Sequence, residues 1–177
     1  MSEFSIAVLI SGNGSNLQAF IDSIEKKEIK GKICCVLSNK RNAYGLERAK
    51  KAEISTEFIN NEDFETRERF DSEMVKVLSN YQPDLIVLAG FMRILSPVFV
   101  NAFKGRILNI HPSLLPKYPG LNTHERVLES KDKLHGITIH FVDESLDGGP
   151  ICAQSSLEIN TTSVKELEEK IHELEHE

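Results

Sequence analysis

Short apolar runs alternate with amphipathic helical patterns through the first 110 residues, and this alternation constrains the fold more than any other feature. The run Phe4 to Ile10 has the composition of a strand buried on both faces, and it stops at a Ser-Gly-Asn-Gly sequence. Similar runs span Ile33 to Leu37 and Leu85 to Ala89. Strands separated by helices form a mostly parallel sheet, because each connection must cross one face of it. The pattern predicts an α/β, Rossmann-like fold with helices on both faces.

The remaining elements extend this sheet and then change its direction. Two runs near the C-terminus flank a glycine-rich turn, as expected for an antiparallel pair of strands. We therefore predict an antiparallel extension near the C-terminus, within a single domain that spans residues 1–177. In chain order, the other predicted elements are a helix from Leu17 that stops at Gly31, a helix from Gly45 to Ala52, a strand from Thr56 to Ile59, a long helix with an apolar stripe from Phe70 to Tyr81, strands from Arg106 to Ile110, Ile137 to Val142 and Ile151 to Ile159, a short helix from Thr123 to Ser130, and a final helix with apolar positions from Val164 to Leu174.

Composition excludes several classes of protein. A formal net charge of −6 leaves no basic excess to neutralise phosphates, so we expect no non-specific nucleic-acid binding. No apolar run approaches the roughly 20 residues of a membrane span. The first apolar run is preceded by no basic segment, and we expect no signal peptide. The three cysteines are odd in number and lack metal-ligand spacing, which is typical of reduced thiols in a cytoplasmic protein.

The loop after the first strand, Ser11 to Asn16, is typical of an anion-binding turn. Glycines let the backbone approach an anion, and the N-terminus of the next helix contributes partial positive charge. A tight strand-to-helix turn with a serine or asparagine cap explains the same residues equally well. A dinucleotide site is disfavoured, because Leu17 occupies the third glycine position and the second strand ends in Ser38-Asn39 without an acid. The sequence contains no Gly-Lys-Ser/Thr motif, so no phosphate-binding motif of this kind indicates ATP binding.

The fifth strand ends in the sequence Asn109-Ile110-His111-Pro112. Side chains alternate along a strand, so Asn109 and His111 project from the same face, at the end of the sheet where ligands bind. An amide beside a histidine can stabilise a developing oxyanion and move protons near neutral pH. A histidine satisfied by nearby backbone, with Pro112 ending the strand, is the simpler interpretation of the pattern alone.

The glycine-rich turn Leu146 to Pro150 contains Asp147. A hairpin loop accounts for these residues completely, and a catalytic role for Asp147 is the less favoured interpretation from the pattern alone. The other histidines show no metal-ligand spacing, and His172 and His176 favour a solvated helix face over a metal site.

Four segments together closely resemble the glycinamide ribonucleotide formyltransferases, and the resemblance covers nearly the whole chain. Asn-Ile-His-Pro-Ser and Leu-Asp-Gly-Gly also mark the wider folate-dependent formyltransferase superfamily, whereas Gly-Asn-Gly-Ser-Asn narrows the resemblance to the glycinamide ribonucleotide branch. The segments are Leu9 to Gln18, Ala89 to Leu95, Asn109 to Gly120 and Leu146 to Pro150.

The resemblance implies transfer of a formyl group from 10-formyltetrahydrofolate to the amine of glycinamide ribonucleotide, a step of de novo purine (IMP) biosynthesis. Asn109, His111 and Asp147 would be catalytic: the first two would stabilise the tetrahedral oxyanion, and Asp147 would keep His111 charged and relay the amine proton through water. The implied substrate-binding residues are Gly12, Asn13, Gly14, Ser15, Asn16 and Glu175. The implied folate-binding residues are Arg67, Met92, Arg93, Ile94, Leu95, Asn109, Val142, Asp143 and Asp147.

Three alternatives stay open beside this function. A formyltetrahydrofolate hydrolase would use water in place of the amine, but such enzymes usually carry an N-terminal regulatory domain. A methionyl-tRNA formyltransferase would add a C-terminal RNA-binding domain, and a catalytically silent nucleotide-binding module would not need an intact Asn109, His111 and Asp147. Family members generally continue for some tens of residues past the final helix, so we expect a chain without the usual C-terminal tail. We expect a cytoplasmic monomer or homodimer that uses no metal and no ATP.

Overall fold

The structure, a computed structural model, describes residues 3–176. The chain divides into two compact units, the first ending at Leu108 and the second beginning at Asn109. The prediction of a single domain spanning residues 1–177 stays a prediction.

The first unit is built on parallel strands in the order β3-β2-β1-β4. The central strand β1 places Val8 opposite Val36 on one side and Val87 on the other. All six β1 residues are buried, as predicted for a strand covered on both faces. The elements of this unit are β1 (Ser5–Ile10), α1 (Ser15–Glu25), β2 (Lys32–Ser38), α2 (Tyr44–Lys51), β3 (Thr56–Phe58), a 3-10 helix (Asn61–Asp63), α3 (Arg67–Tyr81), β4 (Leu85–Leu88) and α4 (Pro97–Ala102).

Helices α1 and α2 cover one face of these strands because their apolar residues recur at helical spacing. Leu17 and Ile21 of α1, with Leu46 of α2, pack with alternate β1 residues such as Val8 and Ile10 in one core cluster. Packing of α1 and α2 on the same face places the loop after β1 next to the start of α2.

Strand β5 (Ile107–His111) begins in the first unit and ends in the second, which also contains α5 (Thr123–Ser130), β6 (Leu134–Phe141), β7 (Ile151–Glu158) and α6 (Val164–Glu175). Strands β6 and β7 pair antiparallel, with Thr138 opposite Gln154. Val127 of α5, Ile137 of β6, and Leu167 and Ile171 of α6 form the core of this unit. The hairpin places the glycine-rich turn between two well-paired strands.

The predicted fold class is confirmed: strands and helices alternate in the first unit, and the C-terminal strands are antiparallel. Most element bounds agree with prediction to within three residues, but the prediction that the first helix stops at Gly31 was wrong, because α1 ends at Glu25. Two short elements were not predicted, α4 and the 3-10 helix. Pro97 occupies the first turn of α4, where a missing N–H costs nothing, and Ser96 precedes it. Within residues 3–176, no helix is both long and apolar enough to cross a membrane.

Candidate active site

Asn109, His111 and Asp147 lie together in the second unit. The first two belong to β5, and Asp147 lies in the turn between β6 and β7. The Nδ1 atom of His111 is 3.6 Å from Oδ2 of Asp147, and the two side chains are only 7% and 13% exposed. A histidine and a carboxylate with so little solvent around them interact more strongly than an exposed pair. The structure therefore brings His111 and Asp147 together, and Asn109 joins them through His140, whose Nε2 atom lies between the Asn109 amide and the Asp147 carboxylate.

His111 is held in one orientation by the loop that follows β5. Its Nε2 atom lies 3.0 Å from the carbonyl oxygen of Tyr118. A carbonyl oxygen can only accept, so Nε2 must carry the hydrogen of this bond. A second proton on the ring would be on Nδ1, where it would face Asp147.

The loop itself is fixed by two buried hydroxyl groups. Ser113 Oγ donates to the carbonyl oxygens of Lys117 and Tyr118, at 2.7 and 3.1 Å. Thr138 Oγ1 donates to the carbonyl oxygen of Ser113 at 2.7 Å and accepts the Leu115 N–H at 3.0 Å. Both Ser113 and Thr138 are fully buried, so water does not compete for these bonds. The acceptor of the His111 Nε2 hydrogen is therefore fixed by the fold and not by a mobile side chain.

Asp147 is placed by an unusual backbone conformation. Its φ of 51° lies in the left-handed region, which costs most residues about 1–2 kcal/mol and which aspartate tolerates better than most. The turn is tight, because a Cβ atom at Gly149 would collide with the backbone of Phe141. Asp147 Oδ2 also accepts the Gly120 N–H at 2.7 Å. One carboxylate thus joins the β6–β7 turn to the loop after β5.

His140 is a member of this group that the sequence reasoning missed. Its Nδ1 atom lies 3.0 Å from the Phe141 carbonyl oxygen and therefore donates to it. In the neutral ring Nε2 then accepts, and it lies 3.2 Å from Asn109 Nδ2 and 3.8 Å from Asp147 Oδ1. His140 is 2% exposed and orients the Asn109 amide with its nitrogen toward the ring. The alternation of side chains along β6 was the sequence signal for His140. His140 is two residues from the buried Thr138, so both side chains project from the same face of the strand.

A second pair of histidines connects α5 to β6. His124 Nδ1 and His135 Nε2 are 3.0 Å apart, so one ring donates to the other and both cannot carry a second proton at once. His135 is 1% exposed, and its Nδ1 atom has no hydrogen-bond partner within the described structure. Burial, together with the neighbouring His124, lowers the pKa of His135 to about 4. Burial likewise lowers the pKa of His124, against the opposing charges of Glu168 and Glu125.

The predicted anion loop (residues 11–16) lies in the first unit and leads into α1. Gly14 precedes α1 with a φ of 74° and, as a glycine, has no side chain that could cap the helix. The N-terminus of a helix favours an anion, because its first N–H groups have no partner within the helix and carry partial positive charge. Gly14 cannot be replaced without strain, because a Cβ atom there would lie 2.7 Å from the Gly45 Cα atom. Gly12 differs, since a Cβ atom there would meet nothing within 4 Å.

Ser11 connects the anion loop to the segment after β4. Its Oγ atom donates to Asn39 Oδ1 at 2.6 Å and accepts the Met92 N–H at 2.8 Å. The Ser11 N–H donates to the carbonyl oxygen of Gly90 at 3.1 Å. Two segments with predicted ligand contacts are thus joined within the first unit. Ser11 itself was not among the predicted site residues.

The predicted folate-binding residues of the first unit form an exposed apolar and cationic surface. Met92 and Ile94 are 73% and 63% exposed, which is unusual for large apolar side chains. The guanidinium groups of Arg67 and Arg93 lie near the buried Asp71. Burial raises the pKa of this carboxyl, and the hydrogen bonds from Ser96 and the two positive charges oppose that rise only in part. Leu95 follows Ile94 in the chain and is half-buried.

The remaining predicted residues belong to the second unit. Val142 is half-buried after β6, and Asp143 is exposed. Hydrogen bonds from the Ser145 hydroxyl and N–H lower the pKa of Asp143, so this carboxylate stays charged at neutral pH. Glu175 is half-buried at the end of α6. Among residues 3–176, no group of three or more His, Cys, Asp or Glu side chains is arranged to hold a metal ion.

The chain is similar to known formyltransferases. A family model described as "Formyl transferase" matches residues 4–177. The chain is 54% identical over 155 residues to the phosphoribosylglycinamide formyltransferase of Escherichia coli (strain K12), a match that covers 88% of this chain and 73% of that protein. It is 49% identical over 173 residues to the Haemophilus influenzae protein of the same name, covering 97% and 82% of the two chains. The solved structure of glycinamide ribonucleotide transformylase 1 from Symbiobacterium toebii superposes with a TM-score of 0.95 at 40% identity, over 98% of this chain and 82% of that one.

The buried histidine pair predicts a loss of stability on acidification. Between the ordinary histidine pKa of 6.5 and the folded value of about 4, the unfolded chain binds a proton at His135 and the folded protein does not. The free energy of unfolding therefore falls as the pH is lowered through this window, by at most about 1.4 kcal/mol per pH unit for one proton. Urea denaturation across the window measures the slope. The slope should be flatter in His135→Gln and unchanged in His176→Gln, and an equally steep slope in His135→Gln would contradict the assignment.

Proposed function

The chain belongs to the formyl transferase family, and we propose that it is a phosphoribosylglycinamide formyltransferase. It transfers the formyl group of 10-formyltetrahydrofolate to the amine of glycinamide ribonucleotide, in the synthesis of the purine ring. The observation that carries the proposal is the 3.6 Å approach of His111 to Asp147, beside Asn109, in a chain 54% identical to an enzyme of that name.

The reaction exchanges one nitrogen for another on the formyl carbon. The amine nitrogen of the ribonucleotide attacks this carbon and forms the new C–N bond, which gives a tetrahedral intermediate with a negative oxygen. Collapse of the intermediate breaks the bond to N10 of the folate. One proton leaves the amine and one reaches N10, so the products are formylglycinamide ribonucleotide and tetrahydrofolate. The bonds broken and formed are both C–N bonds of a formamide, so the exchange as written needs neither ATP nor a metal ion.

Asn109 and His111 are proposed to stabilise the oxyanion. The Asn109 amide has two N–H groups, one of which faces His140, so the second can donate to the ligand. His111 Nε2 donates to the Tyr118 carbonyl oxygen, so the proton that the ring can offer to the intermediate is the one on Nδ1, on the side of Asp147. A positively charged His111 would bind an oxyanion more strongly than a neutral one.

Asp147 is proposed to support the charged form of His111 and to relay the amine proton. Its Oδ2 atom is near His111 Nδ1 and is already bound to the Gly120 N–H, so the carboxylate keeps its position while the ring changes charge. A carboxylate and an imidazole in this arrangement form an acid–base pair of the kind used near neutral pH.

The two substrates are assigned to different parts of the chain. The ribonucleotide phosphate is proposed to bind the backbone N–H groups of Gly12, Asn13, Gly14, Ser15 and Asn16, and the glycinamide group to contact Glu175. The exposed apolar side chains of Met92 and Ile94, with Leu95 and Val142, suit the flat ring system of the folate. Arg67 and Arg93 suit the negative charge of its glutamate tail. Asp143, charged at neutral pH, is proposed to accept hydrogen bonds from the folate ring.

The cytoplasm is proposed as the compartment. Cys34, Cys35 and Cys152 are all free thiols, and Cys152 is exposed. Free exposed thiols are typical of reducing compartments.

One assay tests the function directly. The protein is incubated with 10-formyltetrahydrofolate, with and without glycinamide ribonucleotide, and the loss of the formyl donor is followed. We expect loss only when the amine is present. Loss without the amine would instead identify a formyltetrahydrofolate hydrolase, and binding of both ligands without turnover would identify a silent binding module.

His111→Ala tests the acid–base assignment. Turnover should fall by about 10²–10⁴-fold, the range for loss of a positioned acid–base group. His172→Ala, at an exposed position on α6, serves as the matched control and should retain turnover. Turnover in His111→Ala close to that of the control would remove His111 from the mechanism.

Gly12→Val tests the anion loop without disturbing the fold. Apart from its two chain neighbours, no atom of the described residues lies within 4 Å of a Cβ atom at this position, which is next to the proposed phosphate position. We expect a higher KM for glycinamide ribonucleotide, an unchanged KM for the folate and an unchanged melting temperature. Gly14→Val, in contrast, should lower the melting temperature, because its Cβ atom would clash with Gly45. Equal increases of both KM values in Gly12→Val would argue against a phosphate at this loop.

A further inference from the structure

We propose that Arg48, on α2, is a positioning residue of the phosphate site, which orients Asn13 as a donor and supplies uncompensated positive charge. The inference rests on the proposed function, which places the phosphate of the ribonucleotide at the anion loop. Arg48 lies in a different element from that loop and was not singled out by any sequence motif.

Arg48 makes three hydrogen bonds, two to Asn13 of the anion loop and one to α1. Its Nε atom donates to the carbonyl oxygen of Asn13 at 2.9 Å, and one terminal nitrogen donates to Asn13 Oδ1 at 2.8 Å. The other terminal nitrogen donates to Gln18 Oε1, on α1, at 3.2 Å. A planar guanidinium can make this set of bonds only in one orientation. The contacts therefore fix the loop to both α1 and α2.

The contact with Oδ1 determines how the Asn13 amide points. The oxygen of the amide faces Arg48, so the Nδ2 group, with its two hydrogens, is the end directed away from the guanidinium. Asn13 is exposed, and a donor there can reach an anion that enters the loop. Without Arg48 the amide could rotate and present its oxygen, which would repel a phosphate.

The charge of Arg48 is not neutralised by the groups that hold it. All three acceptors are neutral oxygens of Asn13 and Gln18. The guanidinium also lies 4.8 Å from the centre of the Tyr44 ring, a contact that fixes its plane and leaves its charge in place. A cation that is hydrogen-bonded to the loop backbone raises the local potential, which favours a phosphate dianion.

A backbone hydrogen bond also joins α2 to the anion loop. The N–H of Gly45 donates to the carbonyl oxygen of Gly12 at 3.1 Å. This bond turns the Gly12 carbonyl toward α2, so that it does not face an entering anion. Arg48 and Gly45 thus act on neighbouring parts of the same loop from one helix.

Arg48→Met removes the hydrogen bonds and the charge but keeps most of the apolar stem. We expect the KM for glycinamide ribonucleotide to rise by about 10- to 100-fold, the range for lost hydrogen bonds to a charged group. The values of kcat and of the KM for the folate should stay within about twofold, since Arg48 contacts neither the catalytic residues nor the Met92 segment. Arg41→Met is the matched control, because Arg41 packs over the Phe58 ring and lies outside the loop. An unchanged KM for the ribonucleotide in Arg48→Met would overturn the proposal.

Two further variants separate orientation from charge. Arg48→Lys keeps the charge but cannot donate to both Asn13 oxygens, so it should recover only part of the affinity. If Arg48 acts through Asn13, the effect of Arg48→Met should shrink in an Asn13→Ala background. Full recovery in Arg48→Lys, or equal effects in both backgrounds, would refute the orienting role of Arg48.

Calorimetric titration with ribose 5-phosphate tests the inference independently of turnover. Binding should be about 10-fold or more weaker to Arg48→Met than to Arg41→Met, and ribose without the phosphate should show no such difference. If formyl transfer fails but this difference is present, the proposed reaction is wrong and the phosphate site stands. If transfer is present but ribose 5-phosphate binds both variants equally, the role of Arg48 is wrong.

Discussion

The Asp147 carboxylate is the contact on which the candidate active site of the second unit depends. It lies near two histidine rings, His111 and His140, and it accepts the Gly120 N–H. Burying a carboxylate costs free energy unless charged or polar groups surround it. These partners therefore stabilise Asp147, and Asp147 in turn fixes their positions. The left-handed backbone at Asp147 and the tight turn at Gly149 place the carboxylate among them.

The buried histidines of this unit differ in what their partners allow. His111 donates from Nε2 to a carbonyl oxygen and faces a carboxylate with Nδ1, so both of its nitrogens can hold a proton. His135 has another histidine at Nε2 and, within residues 3–176, no hydrogen-bond partner at Nδ1, and burial lowers its pKa to about 4. Such a ring contributes to stability only while it is neutral. His111 and His135 thus differ in which ring nitrogens can carry a proton, because their hydrogen-bond partners differ.

The anion loop of the first unit depends on neighbours that are distant in sequence. Gly14 can adopt its left-handed conformation, but it also must lack a side chain because Gly45 of α2 is so close. Arg48 and Ser11 then fix the loop to α2 and to the segment after β4. A loop held from several directions keeps its N–H groups oriented before a ligand arrives, which reduces the entropy lost on binding.

The sequence by itself determined the α/β class, nearly every strand and helix, and the grouping of Asn109 and His111 on one face of β5, because these follow from local periodicity and strand geometry. It indicated Asp147 only through resemblance, since a hairpin turn was the favoured interpretation of that residue from the pattern alone. Only the tertiary structure revealed His140, Ser11 and Arg48 as partners of the predicted residues. Each of these contacts joins residues about 30 to 80 positions apart, and hydrogen bonds over such separations leave no periodic pattern in the chain. They exist because packing of helices and strands places the two partners at hydrogen-bond distance.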